Sequence, residues 1–173
     1  MPAATEEELT LARHLRETRT GSGHFPAAYI RNMELVDREK KTIETAEGTT
    51  SFYILKAKDR GKPAPVHIYL HGGGFVIEHG DRDLYFCSRL AAETHGIVVD
   101  IDYKLAPEYK YPSAFNEAYA VTKWVFENIE NLCGDAERIT INGYSAGGNL
   151  AAAVAIKATE THDFKLRMLL LNY

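Results

Sequence analysis

The sequence predicts an α/β domain in which helices cover both faces of a mostly parallel sheet. Three observations predict it. From residue 66 onward, short β-branched strands alternate with helices of 3.6-residue periodicity. Two of those strands, "VHIYLH" (66–71) and "IVVDIDY" (97–103), are near-continuous apolar runs, as expected of strands buried on both faces. The 173 residues are 45% hydrophobic and 25% charged, enough for one domain with a real core.

The elements follow in order. "TEEE" (5–8) is a T-x-x-E capping box, and Leu9, Leu11, Ala12 and Leu15 follow it at loose helical spacing. "TGSGHFP" (20–26) is loop. A short helix is expected around 27–37, with strands from about Lys41. "KTIETA" and "SFYILKA" flank "EGTT" as a hairpin with a Gly-containing turn. "DRGKPAP" (59–65) is loop, followed by the strand at 66–71. A helix at 81–96 puts Leu84, Cys87 and Ala91 on one face and ends at a glycine. After the strand at 97–103, residues 111–134 carry Ser113 as N-cap. Their apolar stripe is Ala114, Ala118, Val121, Val125, Ile129 and Leu132, closed by Gly134. "RITING" (138–143) is a strand, 146–160 a helix and "KLRMLLLNY" (165–173) a last strand. "LRMLLLN" is apolar on both faces, as in a buried strand. No repeat or low-complexity tract interrupts the pattern.

Composition narrows the function classes. A net charge of −4 offers no attraction for nucleic acid or an anionic membrane surface. No apolar run approaches the roughly 20 residues of a membrane span. The acidic, polar start "MPAATEEELTLARHLRE" lacks the basic and apolar regions of a secretory signal, so a cytoplasmic location is expected. Cys87 and Cys133 form no CxxC pair and read as reduced small hydrophobes rather than a disulfide or metal framework.

Two stretches carry chemistry. Gly143-Tyr144-Ser145-Ala146-Gly147 lies between a β-branched run and a small-residue helix. A serine hydroxyl is a poor nucleophile unless it is held clear of the backbone and given a base. A sharp strand-to-helix turn holds it clear and crowds its neighbours, so glycine is needed two residues to either side. The helix N-terminus also favours negative charge beside the serine. The plain rival is a Gly-rich turn with an N-capping serine, but the strand before and the helix after favour the elbow.

The second stretch, His71-Gly72-Gly73-Gly74-Phe75, ends a strand. An acyl-transfer intermediate needs N–H donors already aimed at its oxyanion, and consecutive glycines let the backbone supply them. A flexible loop is the bland rival. A dinucleotide-phosphate loop is the sharper one, but it needs G-x-G-x-x-G, and Ile77 stands where the last glycine belongs.

"HGGGF" (71–75), "DYKLAPEYKYPSA" (102–114) and "GYSAGGNLA" (143–151) together resemble, in order and spacing, the hormone-sensitive-lipase-like (bacterial esterase/lipase) branch of the α/β-hydrolases. The resemblance runs from about Ser51 to Tyr173. It implies a nucleophile at Ser145 and oxyanion amides at Gly73, Gly74 and Ala146. It also implies that Asp102 and Glu108 are structural, and that helices within 1–40 form part of a cap over the acyl pocket while 41–173 belong to the catalytic domain. The family carries Asp before the nucleophile; here Tyr144 takes that place, which alters contacts but leaves the hydroxyl.

Triads of this fold run Ser, then Asp or Glu, then His. After Ser145 the acids are Glu160 and Asp163, and the one histidine is His162. A helix carries residue 162 roughly 25 Å from the serine, whereas a base must lie within about 3 Å. Of the earlier histidines, His71 reads as a brace for the glycine loop rather than a base, and His79 sits in the mobile-looking "IEHGDRD". His14, His24, His67 and His95 read as surface or packing residues. By the resemblance, the strand at 166–172 is the sixth of eight, with the acid after the seventh and the histidine after the eighth. The chain is therefore expected to be the N-terminal portion of an esterase, a partial α/β-hydrolase fold lacking the last two strands. Engineering, proteolysis or the gene itself would each account for that.

The expected activity is hydrolysis of small-molecule, short-chain acyl esters through an acyl-enzyme on Ser145, without a metal or organic cofactor. Two alternatives stay open: a catalytically inactive fragment with a binding or assembly role, and a related serine peptidase or amidase. The open edge of the last strand predicts a homo-oligomer or a complementing C-terminal chain.

Overall fold

Thr5 and Glu8 close the expected capping box. The Thr5 amide donates to Glu8 Oε2 at 2.8 Å, and the Glu8 amide donates to Thr5 Oγ1 at 3.2 Å. They open helix α1 (Glu6–Arg19). The computed structural model describes residues 2–19 and 27–172, so the loop expected at 20–26 lies outside the described residues. Within α1 the side chain that buries is Ala12; Leu11 is 58% exposed and does not face the interior as its spacing suggests. A short helix α2 (Ala27–Glu34) follows.

The described strands form one six-stranded sheet in the order β1-β2-β4-β3-β5-β6. β1 (Val36–Thr45) and β2 (Gly48–Ala57) make the expected hairpin, turned over Ala46 and Glu47, with Gly48 at φ +90°. β2 runs antiparallel to β4 (Ile97–Asp102). β3 (Ala64–Leu70) runs parallel to β4 and to β5 (Gly134–Tyr144), and β5 parallel to β6 (Met168–Asn172). The sheet is thus parallel from β4 through β3 and β5 to β6 and antiparallel from β1 through β2 to β4.

Strand alternation divides the core. Ile68, Leu70, Val99 and Ile101 face one side, where α4 (Ser113–Glu127) and α5 (Ala146–Thr161) supply Ala118, Val121, Val125, Leu150 and Val154. Leu55, Tyr69 and Val98 face the other, against Cys87 and Ala91 of α3 (Asp81–Thr94). Helices therefore cover both faces, as expected.

Four details depart from the sequence reading. β1 begins at Val36, so a boundary between residues 40 and 41 runs through a strand; the charged "DREKK" of this exposed edge hides its β character. Ser113 is the first helical residue of α4 rather than its cap, Pro112 taking the N-cap position. α4 stops at Glu127, yet Ile129 and Leu132 still pack on the core from the turns beyond. β6 is exposed along its whole length, not buried, because it is the edge strand.

Candidate active site

Ser145 sits between the end of β5 and the start of α5, with φ +51° and ψ −114°. A β-branched strand drives straight into a helix there, so one residue absorbs the whole change of direction. This is a costly conformation for a residue with a Cβ, and it persists only where the surroundings over-determine it. They do so closely. A Cβ at Gly143 would lie 2.1 Å from the Gly147 carbonyl oxygen, and one at Gly147 would lie 2.0 Å from the Leu70 carbonyl oxygen. The glycines on either side of the serine are thus steric requirements. The Ser145 amide donates to the Asn172 carbonyl at 2.8 Å, tying the elbow to β6. Ser145 itself is exposed, at the N-terminal end of a 16-residue helix.

The glycine loop lies against this elbow. A Cβ at Gly72 would stand 3.5 Å from Ser145 Cβ and 2.9 Å from the Tyr144 carbonyl oxygen. Gly73, Gly74 and Phe75 take φ values of +123°, +62° and +64°. At Gly73 a Cβ would also meet Ile77 Cβ at 2.7 Å. The Gly73 carbonyl accepts from the Val76 and Ile77 amides at 3.0 and 2.9 Å, closing a tight turn. The candidate oxyanion residues Gly73 and Gly74 follow directly on Gly72, which lies against the elbow. Ala146, the third, is buried as the first residue of α5.

The histidines separate clearly. His71 is fully buried and stacks on Tyr103 at 4.1 Å between centroids. Its Nδ1 donates to the Gly72 carbonyl at 2.8 Å, which leaves Nε2 as a buried acceptor without a partner. Burial holds this imidazole below its ordinary value, so it is neutral. It braces the loop, and Tyr103 adds a 2.6 Å bond to the His71 carbonyl. His162 caps the far end of α5. His79 is not mobile: its side chain is 5% exposed and its Nε2 donates to Asp100 Oδ2 at 2.7 Å. His67 bonds Thr140, and His95 lies with Asp59 at the surface. His24 lies outside the described residues. No described side chain is hydrogen-bonded to Ser145 Oγ.

A cleft of about 530 Å³ opens between Phe75 of the glycine loop, Ala106 and Tyr109 of the following loop, Phe115 of α4, and Leu150 and Ala153 of α5. Its walls are mainly apolar, as in most small-molecule pockets. Arg16 of α1 reaches the same loops. Its Nε donates to the Val76 carbonyl at 2.9 Å, and its Nη atoms grip Glu108. Glu108, which the resemblance implies is structural, is held in this ion pair. Arg16 and the Asn172 carbonyl are the site contributors the sequence does not disclose: both act through contacts distant in sequence, and a backbone carbonyl leaves no residue-type signal.

Comparison with known proteins places this geometry. A family model described as alpha/beta hydrolase fold matches residues 67–173. Esterase LipI of Mycobacterium tuberculosis is 42% identical over 115 residues, covering 65% of this chain and 35% of that protein. The structure of a bacterial heroin esterase superposes with a TM-score of 0.82 at 26% identity, over 99% of this chain and 53% of that one. The thermophilic carboxylesterase EstE1, cloned from a metagenomic library, gives 0.75 at 31% identity, over 94% and 53%. The chain thus spans about a third of the length of the curated relatives it matches and about half of the matching structures.

Proposed function

The chain belongs to the α/β-hydrolase fold family, and from that premise we propose that it is the nucleophile-bearing portion of a serine carboxylesterase acting on small, short-chain acyl esters. The observation that carries this is the strained Ser145 between two sterically required glycines, with the glycine loop against it. Ser145 Oγ attacks the ester carbonyl carbon, and its proton passes to a base from outside the described residues. The Gly73, Gly74 and Ala146 amides receive the charge on the carbonyl oxygen. Collapse of the tetrahedral intermediate expels the alcohol, which leaves with a proton, and an acyl group remains on Ser145. Water then attacks that acyl carbon, releasing the acid and restoring the hydroxyl. None of these steps calls on a metal or organic cofactor. Helices α1 and α2 act as part of a cap, α1 being fastened to the loops around the site through Arg16.

A second reading concerns assembly. Met168, Leu169, Leu170 and Leu171 are 50%, 38%, 40% and 41% exposed on the edge strand that also holds the serine amide. An apolar edge strand of this kind pairs with another chain. A second copy, or a chain carrying the rest of the fold, supplies that pairing and, in the latter case, the base.

The test is hydrolysis of p-nitrophenyl acetate by this chain together with a segment completing the sheet. Turnover abolished by Ser145→Ala supports the esterase reading. Turnover that survives Ser145→Ala removes it, and binding without turnover leaves the assembly role alone.

A further inference from the structure

Behind the glycine loop lies a buried charged pair that the reaction as described does not use. His79, near the C-terminal end of the 71–80 loop, is joined to Asp100 of β4 at 2.7 Å, with side chains 5% and 0% exposed. The His79 ring lies flat on Tyr53 at 5.3 Å and stands edge-on to His71 at 5.6 Å. We propose that His79, held by Asp100, is a positioning residue for the oxyanion loop: the pair fixes the loop's C-terminal end on the sheet and so sets the direction of the Gly73 and Gly74 amides. This rests on the assignment of those amides to the oxyanion.

Three consecutive residues of the loop lie at positive φ, two of them glycines with little conformational preference of their own. Such a segment keeps one shape only if it is held from several directions. Tyr103 holds its start through the His71 carbonyl, Ala106 holds the Phe75 carbonyl at 2.8 Å, and Arg16 holds the Val76 carbonyl. The His79–Asp100 pair and the Gly80 amide on Asp83 Oδ2 at 3.1 Å hold its end. Stability alone is a poor reason to bury such a pair, since well-packed apolar residues serve a core at least as well. What the pair adds is direction: a charged hydrogen bond admits a narrow range of ring positions.

Around the pair stand Tyr53 from β2, stacked on His79, and His71 edge-on to it, with the charges of Asp83 of α3 and Asp102 at the end of β4 acting on it. Tyr69 and Cys87 lie near Asp100, Tyr103 stacks on His71, and Glu78 precedes His79 in the loop. Burial opposes charge on the His79 imidazole, but the hydrogen bond and charge of Asp100, aided by Asp83 and Asp102, raise it above its ordinary 6.5. Asp100 is raised by burial against the pull of His79, so the pair as a whole keeps its shared proton to higher pH. Burial lowers His71 and raises Tyr69, Tyr103 and Cys87, taking all four away from the range in which His79 discharges. A raised histidine contributes fully below its unfolded value and loses that contribution as pH rises through the folded one. The hold on the loop therefore weakens toward alkaline pH.

Hydrogen exchange on the full chain tests this, comparing the Val76 and Ile77 amides with Ile68 and Val99 of the sheet at about pH 6 and about pH 8.5. After correction for intrinsic exchange, protection in the loop should fall several-fold at the higher pH while the sheet is unchanged. His79→Gln, which keeps a donor that does not titrate, should remove this pH dependence. The double variant His79→Ala/Asp100→Ala, which leaves no unpaired buried charge, should lose loop protection at both pH values and slow fluorophosphonate labelling of Ser145. Loop and sheet moving together with pH, or a double variant with a fully protected loop, would overturn the proposal. If the double variant does not fold, the pH comparison on the unaltered chain decides. Absence of Ser145 labelling in the unaltered chain, with the exchange pattern as expected, would count against the esterase reading and leave the positioning of the loop standing.

Discussion

Arg16 grips both carboxylate oxygens of Glu108, at 2.7 and 2.8 Å, across 92 residues of sequence. The same guanidinium donates to the carbonyls of Val76 and Ala106, so one side chain ties α1 to both loops beside the serine. Arg16→Ala should cost about 1–2 kcal/mol in urea unfolding, trimmed by the partial exposure of Glu108. The hydrogen bond from Arg16, acting against burial, holds the Glu108 carboxyl below its ordinary 4.5. A depressed acid contributes stability above its unfolded value and loses it as pH falls through the folded one. Amides of α1 should therefore stay protected at neutral pH and open only in acid below that ordinary value. Opening near neutrality, or an unchanged urea midpoint in Arg16→Ala, would show that α1 is held by something else.

The glycines of the two motifs should differ sharply in tolerance. Gly147→Ala puts a methyl 2.0 Å from a backbone oxygen, and no side chain can move to relieve it. That should cost more than about 4 kcal/mol or prevent folding. Gly74→Ala meets nothing within 4 Å and pays only for its φ of +62°, roughly 1–2 kcal/mol. Chemical denaturation of both variants checks the ordering; equal stabilities would mean that the elbow is not closed as described.

Glu117 is fully buried on α4, accepting from Thr50 Oγ1 at 2.7 Å and the Lys104 amide at 2.6 Å, with Lys104 Nζ at 3.2 Å. It anchors the loop after β4 that walls the cleft. Glu117→Ala leaves the Lys104 amide without its acceptor and takes one from Thr50 Oγ1 and Lys104 Nζ, which keep Thr45 and the Glu47 carbonyl; it should destabilise the chain by about 3 kcal/mol. An unchanged melting temperature would remove it from the fold's supports.

Association at β6 should be visible by light scattering at micromolar concentration as a dimer or larger species. Leu169→Lys with Leu171→Lys, which places charge along the edge, should shift it toward monomer. A strictly monomeric parent chain with freely exchanging amides at 168–172 would contradict strand-edge association.

How far the sequence discloses this molecule depends on the range of each interaction. The capping box at Thr5 and Glu8, the hairpin turn at Gly48 and Gly143 of the elbow are local, since each feature's residue types and partners lie within a few positions, whereas Gly147 answers to the Leu70 carbonyl far away in sequence. The apolar strands set the layers for the same reason. Charge on the edge strand β1 disguised its start, because an edge needs no apolar partner on its open side. Leu11 shows that loose periodicity does not choose the face of a short helix; docking through Arg16 chose it instead. The His79–Asp100 pair was illegible because its partners lie 21 residues apart on a loop and a strand, and only the fold brings them together.

The most direct measurement of the central claim is mass-spectrometric mapping of the intact chain after reaction with a fluorophosphonate. Slow formation of a single adduct, on Ser145 and absent from Ser145→Ala, is expected, because the elbow exposes the residue while no described side chain is hydrogen-bonded to its hydroxyl. An adduct on a different serine would contradict the assignment of the nucleophile, and rapid ester turnover by this chain alone would contradict the account of its base.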